Sequence, residues 1–159
     1  MLVLKTIATE GEELEIIRSL FAEYLNELNE SLSFQNFDEE LDFPLKKYGQ
    51  PFGLLVLAYF NDEPVGCVAF TDISNSEKKI CEMKRLYVKP AYRKHKIGAA
   101  LVQEILKLAA IFGFEKMKLD SLEKLQSAIN LYKKFGFTVA EAYYQNPLPE
   151  VVYMEKNLI

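Results

Sequence analysis

The chain has 159 residues, of which 50% are apolar, 13% aromatic and 26% charged, and its net charge is −4. This composition predicts one folded domain over residues 1–159 and excludes a disordered chain, a collagen-like repeat and a disulfide-stabilised scaffold. The charge is uneven, because residues 1–77 carry a net −11 and residues 78–96 a net +7. An acidic protein with one concentrated basic segment is not typical of a nucleic-acid-binding protein and indicates a local anion site.

Neither a membrane segment nor a secretory signal is expected. The longest apolar run, residues 54–60, is far short of the roughly 20 residues that a membrane-spanning helix needs. Residues 1–6 show no basic leader followed by an apolar stretch. Cys67 and Cys81 lie in apolar, strand-like stretches and would not face each other across a hairpin. We therefore expect two buried, reduced thiols and a cytoplasmic protein.

The first half of the chain predicts a strand, a helix and then a run of strands. Residues 2–8 predict the strand, and in residues 11–30 apolar side chains recur every three or four positions, as in an amphipathic helix. Residues 31–52 hold Pro44 and Pro51, which break any long helix, and predict a mobile or substrate-facing loop with room for a short helix. Further strands are expected at 53–60, 65–73 and 80–88.

The second half alternates helices and strands. Helices are expected at 97–112 and 124–135, ended by Gly113 and Gly136, and strands at 115–121, 137–144 and 150–157. The order β-α-(α)-β-β-β-α-β-α-β-β predicts an α/β domain with an antiparallel meander in its first half.

The basic segment joins the strand that ends at Val88 to the helix that opens near Gly98. A helix N-terminus presents unpaired backbone N–H groups and a partial positive charge, which suit an anion. Arg93, Lys94 and Lys96 add positive charge there, although a run of basic residues on a loop is also often just solvated. Gly98 favours the anion site, because a residue without a side chain lets a ligand approach the backbone. The pattern points to a pyrophosphate.

Two motifs, one that overlaps this basic segment and one further along the chain, resemble those of a known family. Residues 86–101 read Leu-Tyr-Val-Lys-Pro-Ala-Tyr-Arg-Lys-His-Lys-Ile-Gly-Ala-Ala-Leu, which is similar to the acyl-CoA-binding motif of the GNAT superfamily of N-acetyltransferases. Residues 128–137 read Ala-Ile-Asn-Leu-Tyr-Lys-Lys-Phe-Gly-Phe and are similar to a second signature of that family. The resemblance implies a small, bacterial-type single-domain member with the GNAT fold, a central, mixed, mostly antiparallel sheet flanked by helices. It also implies acetyl-CoA as co-substrate.

The resemblance further implies where acetyl-CoA binds. Backbone groups of Leu86, Tyr87 and Val88 would pair with the amides of pantetheine like an added strand. The backbone N–H groups that would hold the pyrophosphate are those of Arg93, Lys94, His95, Lys96, Ile97, Gly98 and Ala99. No metal is expected, because His95 is the only histidine and the two cysteines are not spaced as metal ligands.

Two residues match positions that carry the family's chemistry. Tyr132 would protonate the departing thiolate, although it also falls on an apolar helix stripe where a tyrosine can simply pack. Glu82 would deprotonate the amine, directly or through water. The alternative for Glu82 is an ion pair with Lys84 or with a lysine of a neighbouring strand, which on a sheet surface contributes little.

Three residues depart from the family pattern. Lys94 and Lys96 stand where glycine is usual, and Leu125 stands where many members have asparagine. If position 96 needs a positive φ, a residue other than glycine costs roughly 1–2 kcal/mol there. Because backbone N–H groups make the phosphate cradle, the motif can tolerate these changes, and each lysine adds a charge.

The predicted function is therefore transfer of an acetyl group from acetyl-CoA to the primary amine of a small molecule or peptide. A backbone N–H near residues 86–88 would hold the oxyanion. Acidic residues of the 31–52 segment, Glu39, Glu40 and Asp42, hint at a cationic acceptor. The three tyrosines Tyr143, Tyr144 and Tyr153 either line the acceptor side or pack on the sheet.

The main rival is a catalytically silent CoA-sensing or partner-binding module on the same fold. Nucleic acid is not an expected partner, because the basic residues are confined to one short segment of an acidic chain. A homodimer is compatible with the sequence.

Overall fold

The computed structural model describes residues 1–159, which form one sheet with helices on both faces. The strands are β1 (Leu2–Thr6), β2 (Gly53–Phe60), β3 (Glu63–Asp72), β4 (Ile80–Val88), β5 (Lys116–Leu122), β6 (Thr138–Val139) and β7 (Val151–Asn157). The helices are α1 (Glu12–Leu28), α2 (Phe37–Asp42), α3 (Pro44–Tyr48), α4 (Ile97–Ile111) and α5 (Gln126–Lys134), with 3-10 turns at Ser33–Gln35 and Pro90–His95. None of these helices combines the length and apolar character needed to cross a membrane.

The seven strands lie in the order β1-β2-β3-β4-β5-β7-β6. Every neighbouring pair is antiparallel except β4 and β5, which run parallel. That parallel pair requires a crossover connection, and α4 provides it. The prediction of a mixed, mostly antiparallel sheet flanked by helices is confirmed.

The parallel pair opens like a fork. β4 and β5 pair only where Ile80, Cys81 and Glu82 lie beside residues 116–118, and no pairing continues beyond that point. Residues 83–88 of β4 therefore lack a strand partner on the β5 side. The divergence leaves unpaired backbone and open space in the middle of the sheet, and this space forms the candidate site.

The two faces of the sheet carry separate cores because side chains alternate along a strand. On β2, Leu54 and Val56 join the core beneath α4 and α5, whereas Leu55 and Leu57 join the core beneath α1. Cys81 belongs to the first core and Cys67 to the second. The two buried thiols thus lie on opposite faces of the sheet, and they do not face each other, as predicted.

The loop predicted over residues 31–52 instead contains two short helices, α2 and α3, after a 3-10 turn. Phe37 and Tyr48 are buried apolar anchors of these helices, and the charged Glu40 is buried with them. Pro44 begins α3, where its missing N–H costs nothing. The polar composition of residues 31–52 did not indicate these helices, because a few buried contacts with the rest of the domain stabilise them.

The strand predicted over 137–144 is also shorter than expected. Only Thr138 and Val139 pair with β7, and the chain then leaves the sheet. The hydroxyls of Tyr143 and Tyr144 bond to carboxylates of β4 and β5, which draws this segment toward the fork. Gly136, at φ +92°, ends α5 in a conformation that favours glycine, as predicted.

Candidate active site

A β-bulge shapes β4 beside the fork. Cys67 of β3 lies opposite Tyr87, and Ala69 lies opposite Lys84, so a single β3 residue faces both Arg85 and Leu86. Arg85 has φ +60°, in the left-handed region. A bulge of this kind interrupts the ladder and redirects side chains, and it leaves backbone groups unpaired. Nothing in the sequence predicted this bulge.

Arg85 is held by a buried network. Its guanidinium donates to both carboxylate oxygens of Glu40, at 2.6 and 3.0 Å, and to Gln35 Oε1 at 2.9 Å. The same group lies 4.9 Å from the ring centre of Phe37 and 5.6 Å from that of Tyr24. Burial raises the pKa of the Glu40 carboxyl, but the hydrogen bonds and charge of Arg85 outweigh it and leave that pKa lowered.

The hint of a cationic acceptor from acidic residues therefore changes. Glu40 is buried and bonded to Arg85, and Glu39 pairs with Lys46. The Glu40 carboxylate is therefore not available to a substrate, whereas Glu39 and Asp42 are exposed.

Three charged side chains of β4 and β5 meet in the interior. Lys84 Nζ lies 3.7 Å from Glu82 Oε2 and 3.8 Å from Asp120 Oδ1, and all three side chains are at most 8% exposed. The hydroxyl of Tyr143 donates to Glu82, and that of Tyr144 donates to Asp120. Burial lowers the pKa of the Lys84 ammonium, and the charge of Glu82 opposes this. The ion pair foreseen as the alternative for Glu82 thus exists, but inside the protein.

Asp120 is the functional candidate that the sequence analysis missed. Its Oδ2 accepts hydrogen bonds from Tyr144 and from Asn146 Nδ2, the latter at 2.7 Å. Gln35 Nε2 in turn donates to the Tyr144 hydroxyl at 3.0 Å. Burial and then the bond to Asp120 raise the pKa of Tyr144, which keeps this donor protonated. The sequence feature that could have pointed to Asp120 is that it is one aspartate within an otherwise apolar and basic strand.

A cavity fills the fork between β4 and β5. Asp120, Lys84 and Leu86 line it from the strands, and Tyr24 and Leu28 line it from α1. Further lining residues are Gln35, Tyr132 and Asn146. Glu82 is not among them, although its Oε2 lies 3.7 Å from Nζ of the lining residue Lys84. The structure thus brings Tyr132 and Asp120 to the same cavity and leaves the predicted base Glu82 outside its wall.

Tyr132 lies on α5 at this cavity. Its side chain is buried, and its ring packs edge-on against Phe137 with the ring centres 5.8 Å apart. Burial raises the pKa of its hydroxyl, with a smaller contribution from Tyr24. The residue thus both packs in the core and presents a hydroxyl at the cavity wall, so the two interpretations offered by the sequence coexist.

The N-terminus of α4 has the features of an anion cradle. No side chain caps it, and the first helical bond runs from Ala100 N to Lys96 O, at 3.2 Å. The N–H groups of Ile97, Gly98 and Ala99 precede that bond and point out of the helix end. Lys96 has φ +58°, the positive value that the glycine of the family motif suggested.

Side chains around this cradle are mostly solvent-exposed. Lys94 and Lys96 are exposed, and the His95 ring stacks on Phe60 with the ring centres 4.5 Å apart. A Cβ atom at Gly98 would lie 3.4 Å from Leu131 Cδ2 and 3.9 Å from Val88 Cγ2, so the absent side chain lets the start of α4 pack closely on these two residues. Unpaired N–H groups and exposed lysines fit the pyrophosphate of CoA.

Arg93 is anchored within the protein. Its Nε donates to the carbonyl oxygen of Val88 at 2.9 Å, and its Nη2 lies 2.6 and 2.7 Å from the two carboxylate oxygens of Glu27. Its guanidinium also lies 5.8 Å from the ring centre of Tyr87. The sequence predicted that Arg93 adds positive charge to the anion site, whereas in the structure its side chain ties α1 to the end of β4.

Tyr87 and Leu86 occupy the unpaired stretch of β4. The Tyr87 hydroxyl donates to Glu23 Oε1 at 3.2 Å, and burial together with Glu23 raises its pKa to about 12. Leu86 is partly exposed at the cavity. The backbone of this stretch faces the fork, where an extended amide-bearing chain can add alongside it.

Comparison with known proteins agrees with this architecture. Residues 15–137 match the model of the acetyltransferase (GNAT) family. An uncharacterized N-acetyltransferase of Schizosaccharomyces pombe is 44% identical over 146 residues, which cover 90% of this chain and 87% of that protein.

Solved structures give the same result at the level of the fold. A GNAT-family acetyltransferase of Staphylococcus aureus superposes with a TM-score of 0.78 at 20% identity, over 99% of this chain and all of that one. An aminoglycoside 6'-N-acetyltransferase in complex with coenzyme A superposes with a TM-score of 0.70 at 17% identity, over 99% of this chain and 97% of that one. The family match spans most of the chain and includes both motifs, and the relatives are named N-acetyltransferases. The protein is an acetyltransferase and belongs to the GNAT family.

Proposed function

We propose that this enzyme transfers an acetyl group from acetyl-CoA to a primary amine by direct attack of the amine on the thioester. The observation that supports the proposal is the convergence of Tyr132, Asp120 and the unpaired stretch of β4 on one cavity. An acid, a carboxylate and a free strand edge at one opening are the parts that direct acyl transfer needs.

Acetyl-CoA would lie along the fork and supply an activated acyl group. The free backbone of residues 86–88 would bind its pantetheine amides, and the N–H groups of residues 97–99 would bind its pyrophosphate. Lys94 and Lys96 are exposed beside that helix end and would add charge to the phosphate site. The Val88 carbonyl already accepts a bond from Arg93, so the other backbone groups of this stretch would carry most of the pairing.

Tyr132 is the proposed general acid. Its raised pKa keeps the hydroxyl protonated at neutral pH, and it lines the cavity from α5. When the carbon–sulfur bond breaks, this hydroxyl would give its proton to the departing sulfur, so that CoA leaves as the thiol.

Two carboxylates can take up the protons that the acceptor amine loses. Asp120 lines the cavity and would contact the amine directly, whereas Glu82, whose Oε2 lies 3.7 Å from Lys84 Nζ, is not part of the cavity wall and would act through water. We therefore propose Asp120 as the contact carboxylate, with Glu82 as the water-linked base that the family resemblance implies. In the balanced reaction an ammonium ion and acetyl-CoA give an amide, free CoA thiol and one released proton.

The β-bulge supplies the proposed oxyanion site. Because Arg85 and Leu86 share one partner on β3, a backbone N–H of this stretch is free to turn toward the fork. As the amine attacks the thioester carbonyl, negative charge develops on its oxygen, and a fixed N–H stabilises that charge without reorganisation.

Two measurements test the proposal. Isothermal titration with CoA and acetyl-CoA should show binding that weakens with salt, because charged groups contact the phosphates. Release of CoA thiol from acetyl-CoA should then depend on an added primary amine and yield its N-acetyl derivative. CoA binding without transfer to any amine in a broad panel would favour the CoA-sensing alternative instead.

A further inference from the structure

Lys84 is a buried cation whose hydrogen-bonding capacity is not used within the protein. Its side chain is 5% exposed, and its two carboxylate neighbours lie at 3.7 and 3.8 Å, beyond the 2.7–3.2 Å of a normal hydrogen bond. An ammonium group has three N–H donors, and leaving them unpaired in the interior is costly. Because Lys84 lines the cavity, these donors are available to a molecule that binds there.

The other cation of the cavity wall is fully engaged. Arg85 bonds to both oxygens of Glu40 and to Gln35. Lys84 is therefore the cationic donor that remains for the acceptor, and it sits beside Asp120, the carboxylate proposed to contact the amine.

The charges around the cavity are balanced. The buried carboxylates are Glu40, Glu82 and Asp120, and the cations paired with them are Lys47, Lys84 and Arg85. A polyamine would bring several positive charges into a site without spare negative charge. An acceptor that carries both an amine and an anionic or carbonyl oxygen fits a site in which both signs are present.

The spacing of the two groups restricts the acceptor further. Asp120 Oδ2 is occupied by Tyr144 and Asn146, and Oδ1 lies 3.8 Å from Lys84 Nζ. A molecule that donates its amine to Asp120 and offers an oxygen to Lys84 must carry the two groups close together. In an α-amino carbonyl compound they are about 3 Å apart. A simple alkylamine offers no oxygen at all.

We propose that Lys84 is a specificity-determining residue that binds an oxygen of the carbonyl or carboxylate group attached to the amine-bearing carbon, so that the acceptor is an α-amino carbonyl compound. A free amino acid and the amino terminus of a peptide share this chemistry. The inference rests on the proposed acetylation of amines and deepens it, because it selects one class among them.

The experiment compares acceptors that differ only in the oxygen-bearing group. Steady-state acetylation is measured for L-amino acids, their amides, short peptides and the corresponding decarboxylated amines, at equal concentrations of neutral amine. We expect kcat/KM to be at least 10-fold higher for an oxygen-bearing acceptor than for its decarboxylated counterpart. Preference for the free acid indicates an amino acid as acceptor, and preference for the amide and peptide indicates an amino terminus.

Substitution then assigns the preference to Lys84. Lys84→Met removes the donors, and the ratio of kcat/KM between matched acceptors should fall at least 10-fold. Lys116→Met is the matched control, since Lys116 is a partly buried lysine paired with Glu155 at 3.1 Å and is not part of the cavity wall. This control should leave the ratio intact.

Several results would overturn the inference. Equal use of acids, amides and decarboxylated amines by the unaltered enzyme would do so even if Lys84→Met failed to fold. A folded Lys84→Met enzyme with an unchanged ratio would do so as well. Transfer to plain amines alone would refute this inference but leave the proposed function standing, whereas transfer to no amine would refute both.

Discussion

The Arg85 guanidinium and the Glu40 carboxylate form two hydrogen bonds, of 2.6 and 3.0 Å, across 45 residues of sequence. Arg85 lies at the bulge of β4, and Glu40 lies on the short helix α2. Both side chains are 2% exposed. The pair therefore fixes α2 against the strand that borders the cavity, and the shape of the site depends on it.

Removal of this pair should destabilise the domain. Glu40→Gln leaves the Arg85 charge buried without its counter-charge, and we expect the free energy of unfolding to fall by about 3 kcal/mol. Glu39→Gln is the control, because the Glu39 pair with Lys46 is exposed and should contribute at most about 1 kcal/mol. Urea unfolding of both variants measures the difference, and equal midpoints would contradict the structural role.

Tyr132→Phe tests the general acid. The variant keeps the ring that packs on Phe137 and loses the proton donor, so kcat should fall by about 100-fold or more with little change in stability. Tyr48→Phe is the control, because the Tyr48 hydroxyl is buried without a partner and lies outside the cavity. An unaltered kcat for Tyr132→Phe would remove the acid from the mechanism.

The roles of the Asp120 and Glu82 carboxylates can be distinguished by two isosteric substitutions. Asp120→Asn should lower kcat/KM by roughly 100-fold, and Glu82→Gln by roughly 10-fold, because only Asp120 lines the cavity. Glu155→Gln on β7, which removes a partly exposed partner of Lys116, should have little effect. A larger loss for Glu82→Gln than for Asp120→Asn would assign direct contact with the amine to Glu82.

The buried tyrosines predict a loss of stability at high pH. Burial raises the pKa of Tyr132, and of other tyrosines, above the ordinary value of 10. As the pH rises, these tyrosines therefore ionise in the unfolded chain before they ionise in the folded protein. Their contribution to the free energy of unfolding is fully present below pH 10 and is lost as the pH rises further. Above pH 10, each such tyrosine lowers the free energy of unfolding by about 1.4 kcal/mol per pH unit. Unfolding free energies from pH 8 to 11.5 should fall less steeply for Tyr132→Phe, and parallel curves would contradict this.

Lys96 carries a measurable backbone strain. At φ +58° a lysine destabilises the folded protein by about 1–2 kcal/mol, and glycine removes that strain. Glycine also gives the unfolded chain more conformational entropy, which lowers stability by up to about 1 kcal/mol. Lys96→Gly should therefore raise the free energy of unfolding by about 0.5–1 kcal/mol and weaken CoA binding through the lost charge. Lys94→Gly, at a position without positive φ, should lower stability, and a gain there would contradict the explanation.

The order of helices and strands and the helix end that we propose as the phosphate site could be predicted from the sequence. Apolar residues that recur every two positions indicate a strand, and those that recur every three to four positions indicate a helix, so both are visible in a short stretch of sequence. Gly98 and its basic neighbours likewise form a contiguous motif. The family's glycine at position 96 raised the question of a positive φ there, and the structure has it at Lys96. Tyr132 followed likewise from a contiguous signature. In each instance the deciding interaction lies within a few residues of chain.

What only the tertiary structure decided is the acceptor side of the site. The sequence suggested that Glu40 attracts a cationic acceptor, and only the fold shows that it pairs with Arg85. Asp120 was not singled out in the sequence, and only the fork places it beside Lys84. The bulge at Arg85 depends on pairing with β3. A sequence of this kind determines helices, strands and the basic strand–loop–helix motif, because those depend on local periodicity and on neighbouring residues. The burial and pairing of charges depend on which distant segments the fold brings together.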